Sequence, residues 1–297
     1  MTSQVGNERK SWLLRQETHS VELPRSSLVE FTHQGRSYEL DCLHRPGQLA
    51  ALEVEWTGLH QLGDQSFTYF QSFDWCSNWA ENFCSQSDDC LRIFVLREKT
   101  HSGRAILIWP MVAVRSRSGV RVLVSLSDPL GQYSSLIVDQ EQVNVSLAQT
   151  VLHHIKTTSG CDAIAITNCP LGSFMQAVVD GLGMVENTRP VSSMLDLTQF
   201  NNWDEYHASF PGKIRKLRRK RLNKLKTLGE LEYHVEPGGT PAYQELVRKC
   251  LQYKQDWLRE TARRSPVLAD PMTEKFLQSL GAERESGKVQ SLSLIHI

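Results

Sequence analysis

No stretch of this 297-residue chain is apolar for the ~18–20 residues that a bilayer-spanning helix needs. The basic, apolar and small-residue order of a secretory leader is also missing. Met1 to Arg25 is polar and of mixed charge, so residues 1–25 read as a poorly ordered tail in which only Trp12-Leu13-Leu14 is suited to docking. Both absences point to a cytoplasmic protein. Seven cysteines (Cys42, Cys76, Cys84, Cys90, Cys161, Cys169 and Cys250) include no Cys-x-x-Cys pair. Their odd number and wide spacing predict reduced thiols. Zinc held by Cys76, Cys84 and Cys90 is the alternative, with a spacing that matches no common site, and no metal is expected. The chain has no Walker-type loop, Gly-x-Gly-x-x-Gly or Ser/His/Asp nucleophile motif, which argues against hydrolase and nucleotide-fold readings. What remains is 40% hydrophobic and 8% aromatic, enough for ordinary cores in one large domain or two modest ones.

Acidic residues are absent from one stretch in particular. Residues 213–226 hold nine Lys or Arg among fourteen. The whole chain balances 33 basic against 33 acidic side chains, so without these nine it would stand at −9. Phe210, Ile214, Leu217, Leu225 and Leu228 fall on one side of a helix here, with Leu222 on its flank. That pattern predicts a packed apolar face and a cationic one. The cations are either a solvated face whose stems cover apolar surface or a site for phosphate or carboxylate, with Arg218, Arg219 and Lys220 at its centre. An anionic membrane surface fits the same charge. Nucleic acid fits less well, because the helix carries no aromatic stacking platform.

Periodicity and punctuation predict helices over Leu49–Leu62 and Phe73–Phe83. Strands follow over Leu91–Leu96, Arg104–Val114, Val120–Leu126 and Ser134–Val138, an antiparallel meander. A helix over Val143–Thr157, a strand over Asp162–Thr167, a helix over Phe174–Leu182 and a strand over Val191–Leu197 complete a mixed α/β domain at 26–200. Residue 201 opens a second unit. Asn202 and Glu205 form a capping box, Pro211 enters the next helix, and Gly229 ends it. A strand over Leu231–Val235 precedes a helix capped by Thr240, with Tyr243, Leu246, Val247, Cys250, Tyr253, Lys254 and Trp257 on one face. A helix from Asp270-Pro271 to Gly281 and a strand from about Lys288 follow. Tyr253 and Trp257, one turn apart, read as core packing over sugar stacking. His153-His154 point about 100° apart on their helix and cannot share a metal as an i,i+4 pair can.

The segment Trp203-x-x-Tyr206…Phe210-Pro211-Gly212-Lys213…Leu217-Arg218-Arg219-Lys220…Gly229 resembles the opening of the CelD/BcsL-type (BioF-like) acetyltransferase domain of the GNAT superfamily. Phe73-x-Trp75-x-x-x-Trp79 and the Trp109-Pro110-Met111 strand are similar to that family's N-terminal half. The resemblance covers about residues 50–291 and rests on the order of several weak motifs. It implies an α/β fold of mixed α+β type, with tandem GNAT-like units as in Fem-type aminoacyltransferases, the second incomplete at 201–291. It implies acyl transfer from acetyl-CoA or another acyl-CoA to a small-molecule or glycan amine or hydroxyl, in polysaccharide or envelope biosynthesis. Asp128-Pro129…Gln132-Tyr133 is similar to the family's aspartate/tyrosine segment, so Asp128 and Tyr133 are expected at an acceptor groove between the units, a plain turn being the alternative. The pattern also singles out Lys254 and Trp257.

The family's Gly-containing pyrophosphate loop is expected beyond residue 297. The corresponding loop of the first unit, Val138 to Val145, has no Gly and two acidic groups. The first unit is therefore expected not to hold CoA, and this chain is expected neither to bind nor to turn over acyl-CoA. Residues 292–297 resemble the translation of a transposon-based sequencing adapter (CTG-TCT-CTT-ATA-CAC-ATC); a genuine core strand over Val289–Ile297 is the alternative. Two other functions fit the sequence: a Fem-like transferase using aminoacyl-tRNA, and a non-catalytic accessory protein docking an anionic surface. The sequence names neither the acceptor nor an oligomeric state.

Overall fold

A computed structural model describes residues 29–63, 69–84, 90–99, 103–116, 118–126, 128–182, 195–280 and 290–296. The tail over 1–25 and most of the strand expected at Val191–Leu197 lie outside these residues; Leu197–Gln199 form a 3-10 turn instead. The chain opens with β1 (Val29–His33) and β2 (Arg36–Leu43), which pair antiparallel. Gln34 and Gly35 both take positive φ, 49° and 80°, which matches a two-residue hairpin turn. No element was expected before Leu49.

A 3-10 stretch over Pro46–Leu52 leads into α1 (Glu53–Leu62), and α2 (Phe73–Phe83) follows. Ser72 caps α2 by accepting a hydrogen bond from the Trp75 amide at 3.3 Å. Next come β3 (Leu91–Glu98), β4 (Ala105–Arg115), β5 (Arg121–Ser125) and β6 (Ile137–Val138), then α3 (Val145–Thr158), β7 (Ala163–Ile164) and α4 (Phe174–Asp180). The sheet runs β1-β2-β3-β4-β5-β7, with β6 also on β4. Every pairing is antiparallel except β5 with β7. α1 and α2 cover one face around Trp56, Phe73, Cys76 and Trp79. α3 and α4 cover the other through Leu147, Val151, Ile155 and Val178.

Beyond residue 200 lie α5 (Trp203–Ala208), α6 (Gly212–Lys226), β8 (Leu231–Pro237), α7 (Pro241–Glu260), α8 (Pro266–Ala269), α9 (Pro271–Ser279) and β9 (Gln290–His296). β8 and β9 pair antiparallel in a separate ribbon. Thr240 accepts from the Tyr243 amide at 3.1 Å and starts α7 where expected. Asn202 likewise caps α5, but Glu205 returns its bond to the Asn201 amide, so the expected box closes one residue early.

One order occurs twice. β2, α1, α2 and β3 span residues 36–98, and β2 pairs antiparallel with β3. β8, α7, α9 and β9 span residues 231–296 with the four-residue α8 between the two long helices, and β8 pairs antiparallel with β9. The second long helices of the two sets, α2 and α9, pack on one another, and Phe276 and Leu280 enter the core beneath α1 and α2.

One carboxylate ties helix to sheet. The β3–β4 register shifts at Leu96/Arg97, and there Glu55 of α1 accepts from the Ala105 amide at 2.7 Å and from Arg97 at 3.1 Å. Glu55→Ala should cost about 1–2 kcal/mol, the range for a partly exposed charge-assisted bond, read as a lowered urea midpoint at unchanged slope.

Three features depart from the sequence reading. Cys84 and Cys90 are bonded, Sγ–Sγ 2.10 Å, so reduced thiols hold only for the other five, and no three-residue metal cluster exists among the described residues. No residue of α6 is buried, so its apolar row does not pack as expected. On α7 only Tyr243 and Leu251 are buried; Cys250, Tyr253, Lys254 and Trp257, expected on a packed face, are exposed.

Candidate functional site

β4 changes partners in mid-strand. Leu107 and Ile108 face β6, whereas Met111 to Arg115 face β5. The change falls at Trp109-Pro110, where proline has no N–H to donate to a ladder. The Pro110 carbonyl accepts instead from the Leu126 amide at 3.2 Å, just past the end of β5. The segment 126–136 leaves the sheet at this fork and returns as β6. It carries Asp128, joined to Pro129 by a cis peptide, and Tyr133.

Gln71 anchors that segment from the helical layer. It is only 4% exposed, and its Nε2 donates to the Tyr133 carbonyl at 2.6 Å. The Gln71 carbonyl in turn accepts from Trp56 Nε1 at 2.9 Å. Phe70 and Tyr133 rings lie 6.4 Å apart, and Ser125 Oγ donates to Ser134 Oγ at 2.7 Å. Gln71 Oε1 and Trp75 Nε1 are buried with no hydrogen-bond partner among the described residues. Beside them the Tyr69 hydroxyl is pushed up to about 12 by burial, then by Asp74 and Tyr243. Tyr243 is raised by burial and donates to the Leu277 carbonyl at 2.9 Å. Both phenols therefore stay protonated near neutral pH and serve as donors rather than bases.

The other expected residues lie elsewhere. Arg218 sits 3.8 Å over the Phe210 ring and 5.8 Å from that of Tyr206. Arg219 and Lys220 are exposed beside it on α6. Lys254 Nζ sits 4.0 Å over Trp257, with Arg263 5.2 Å from the same ring. No hydrogen bond, ion pair or ring contact among the described residues joins the α6 cations to Lys254 or Trp257. Asp128 and Tyr133 share the fork, while the rest are split between α6 and α7.

The remaining candidates have structural surroundings. The His154 ring packs 4.5 Å from Phe31, and burial, then His153, lowers its pKa. Burial pushes the Cys42 thiol up to about 12 and Cys76 well above its ordinary value, so neither is a ready nucleophile. In the 138–145 loop, Asp139 accepts from the Glu141 amide at 3.1 Å and from Gln142 Nε2, while Asn144 caps α3. Of that loop's two acidic groups, Asp139 is thus engaged by its own turn and by Arg104 at 3.7 Å, while Glu141 is exposed.

Sequence reasoning missed Gln71, Tyr69 and Phe276 as members of this neighbourhood. A polar Gln inside an aromatic run has no periodic signature, and Phe276 arrives from the far half of the chain.

No family profile matches the sequence, and no characterised protein matches it in sequence. A solved structure described as that of a probable acetyltransferase is similar to the fold at a TM-score of 0.30 and 14% identity, over 54% of this chain and 97% of the other. At that level the likeness carries nothing about function.

Proposed function

We propose that this protein is an acyl-CoA-dependent N- or O-acyltransferase made of two related units, 26–200 and 201–291. The observation that carries the reading is that the strand and two long helices of 36–83 (β2, α1, α2) recur in order after residue 200 as β8, α7 and α9, within 231–279. It fits the tandem GNAT-like arrangement that the Trp203-to-Gly229 motif and the Phe73-to-Trp79 motif imply.

In such a transferase the acceptor nitrogen or oxygen attacks the thioester carbonyl. The carbon–sulfur bond breaks, the thiol leaves with the acceptor's proton, and an amide or ester forms. In this reading the first unit serves the acceptor: Asp128 and Tyr133 line it at the fork. In this reading the first unit does not hold the cofactor: the loop before α3 has no Gly and carries Asp139 and Glu141, and Asn144 already takes the Leu147 amide in the first turn of α3. A glycan or small-molecule acceptor of polysaccharide or envelope biosynthesis, in the cytoplasm, fits the family resemblance.

The test is release of free thiol from acetyl-CoA by the protein expressed from its native gene, over a panel of amine- and hydroxyl-bearing sugars. Acceptor-dependent thiol release that falls at least about tenfold in Asp128→Asn supports the reading. A protein that is not retained on a CoA matrix and releases no thiol with any acceptor would overturn it.

A further inference from the structure

We infer that the α5–α6 corner seats on an anionic membrane surface, with the leucine row of α6 against the lipid, its cations on the headgroups and Trp203 as an interfacial anchor. The inference is independent of the acyl-transfer reading.

The charge of α6 is uncompensated. None of its nine Lys and Arg forms an ion pair among the described residues, and the helix contains no acidic residue. The neighbouring α7 shows how this protein makes a solvated face: Arg248 pairs with Glu245 at 2.6 Å, and Arg259 pairs with Asp256. α6 lacks that device, so its field is free to act on an anionic partner.

The apolar row is equally free. Ile214, Leu217, Leu222, Leu225 and Leu228 are between 36% and 60% exposed. Arg221 lies one turn from both Leu217 and Leu225, in the middle of that row. A cation there is costly in a protein core, but at a lipid interface its stem lies along the acyl boundary and its head reaches the phosphates. The charge pattern therefore favours an interface over an apolar protein partner. The 15-residue helix, about 22 Å long, is an ordinary length for lying in that plane.

The aromatics discriminate further. Trp203 is 66% exposed at the start of α5, as an interfacial anchor needs. Tyr206 meets Phe210 edge-on at 4.9 Å, and Arg218 covers the Phe210 face. Those faces are taken, which leaves little platform for nucleobases. An exposed leucine row also has no use in nucleic-acid binding.

The experiment is flotation of the purified 297-residue chain with phosphatidylcholine vesicles, with and without phosphatidylserine. Binding is expected only with phosphatidylserine and should weaken as salt rises. Joint Lys216→Glu, Arg219→Glu, Lys220→Glu and Lys224→Glu should reduce vesicle affinity at least about a hundredfold. Leu217→Ser with Leu225→Ser should reduce it about tenfold while keeping the lipid preference. Circular dichroism checks that both variants keep the parent's helicity. A third variant, with the same four positions changed to Gln, covers the case in which charge reversal unfolds α6. Equal binding to neutral vesicles, no binding at low salt, or full binding by the charge variants overturns the inference. So does tighter binding to single-stranded homopolymer RNA that the leucine variant leaves unchanged.

Discussion

Phe276→Ala is expected to lower stability by about 3–5 kcal/mol, the range for emptying a fully buried phenylalanine site. The side chain is 0% exposed and belongs to α9, yet its aromatic partners and most of the core cluster it joins belong to the other half of the chain. Its ring meets Trp75 edge-on at 4.9 Å and lies 5.9 Å from Phe83. Asn82 Nδ2 also donates to Ser279 Oγ across the same contact at 3.3 Å. In a chain of this size, a loss of that order lowers the melting temperature by roughly 10 °C. A cycle pairing Phe276→Ala with Trp75→Leu should return a coupling of about 0.5–1.5 kcal/mol from the edge-to-face pair. A cost under about 1 kcal/mol would mean that α9 does not close this core. The comparison is Leu217→Ala on α6, expected within about 0.5 kcal/mol because its site is open to solvent. If the two halves are related units, the α2–α9 contact joins equivalent helices, and Phe276 lies at its centre.

The elements most legible in the sequence were those with local chemistry at their ends. Phe73 to Phe83 is apolar at helical spacing, and α2 has those bounds, with Ser72 found to cap it. Thr240-Pro241 and Asp270-Pro271 both start helices as their side chains dictate. The β1–β2 hairpin was legible and was missed: Val29 and Phe31, then Tyr38, Leu40 and Cys42, alternate with polar residues on either side of a Gln34-Gly35 turn, and burial follows that period of two. Burial was read less well than secondary structure. The rows on α6 and α7 are where periodicity puts them, but periodicity reports which residues share a face and not whether anything covers it. The Cys84–Cys90 bond was missed for a similar reason: α2 and β3 bring the two together, and a six-residue separation alone does not.

The candidate site was legible only as a loop. Asp128-Pro129 and Tyr133 mark the turn after β5. The fork that gives the turn a place depends on which strand lies beside each half of β4, a long-range property. The likeness in element order on either side of residue 200 has no counterpart in composition: β2 and α1 carry Tyr38, Leu40 and Trp56, whereas β8 and α7 carry Leu231, Val235 and Tyr243. Strand pairing and helix cover constrain pattern more than residue identity, so element order is read from the fold and not from composition.

Trp56→Ala should cost about 3–5 kcal/mol as well, but its more informative partner is Trp56→Phe. The indole is fully buried, meets Phe73 edge-on at 5.6 Å and donates to the Gln71 carbonyl at 2.9 Å. Phenylalanine keeps much of the ring but leaves that buried carbonyl unpaired, at about 1–3 kcal/mol. The cost should fall locally, because Gln71 is also the residue whose amide holds the Tyr133 carbonyl at 2.6 Å. Loosening Gln71 should free the 128–134 segment, so its amides, including the Ser134 amide bonded to Asn168 at 3.2 Å, should exchange about tenfold faster or more. Gln71→Leu should reproduce the effect on the loop with the indole intact. Amides of the β8–β9 ribbon should be unchanged in both variants, since no part of this relay reaches them. If exchange at 128–134 were the same as in the parent, the chain Trp56–Gln71–Tyr133 would hold no position at the fork, and Asp128 and Tyr133 would have to be set there by the sheet alone.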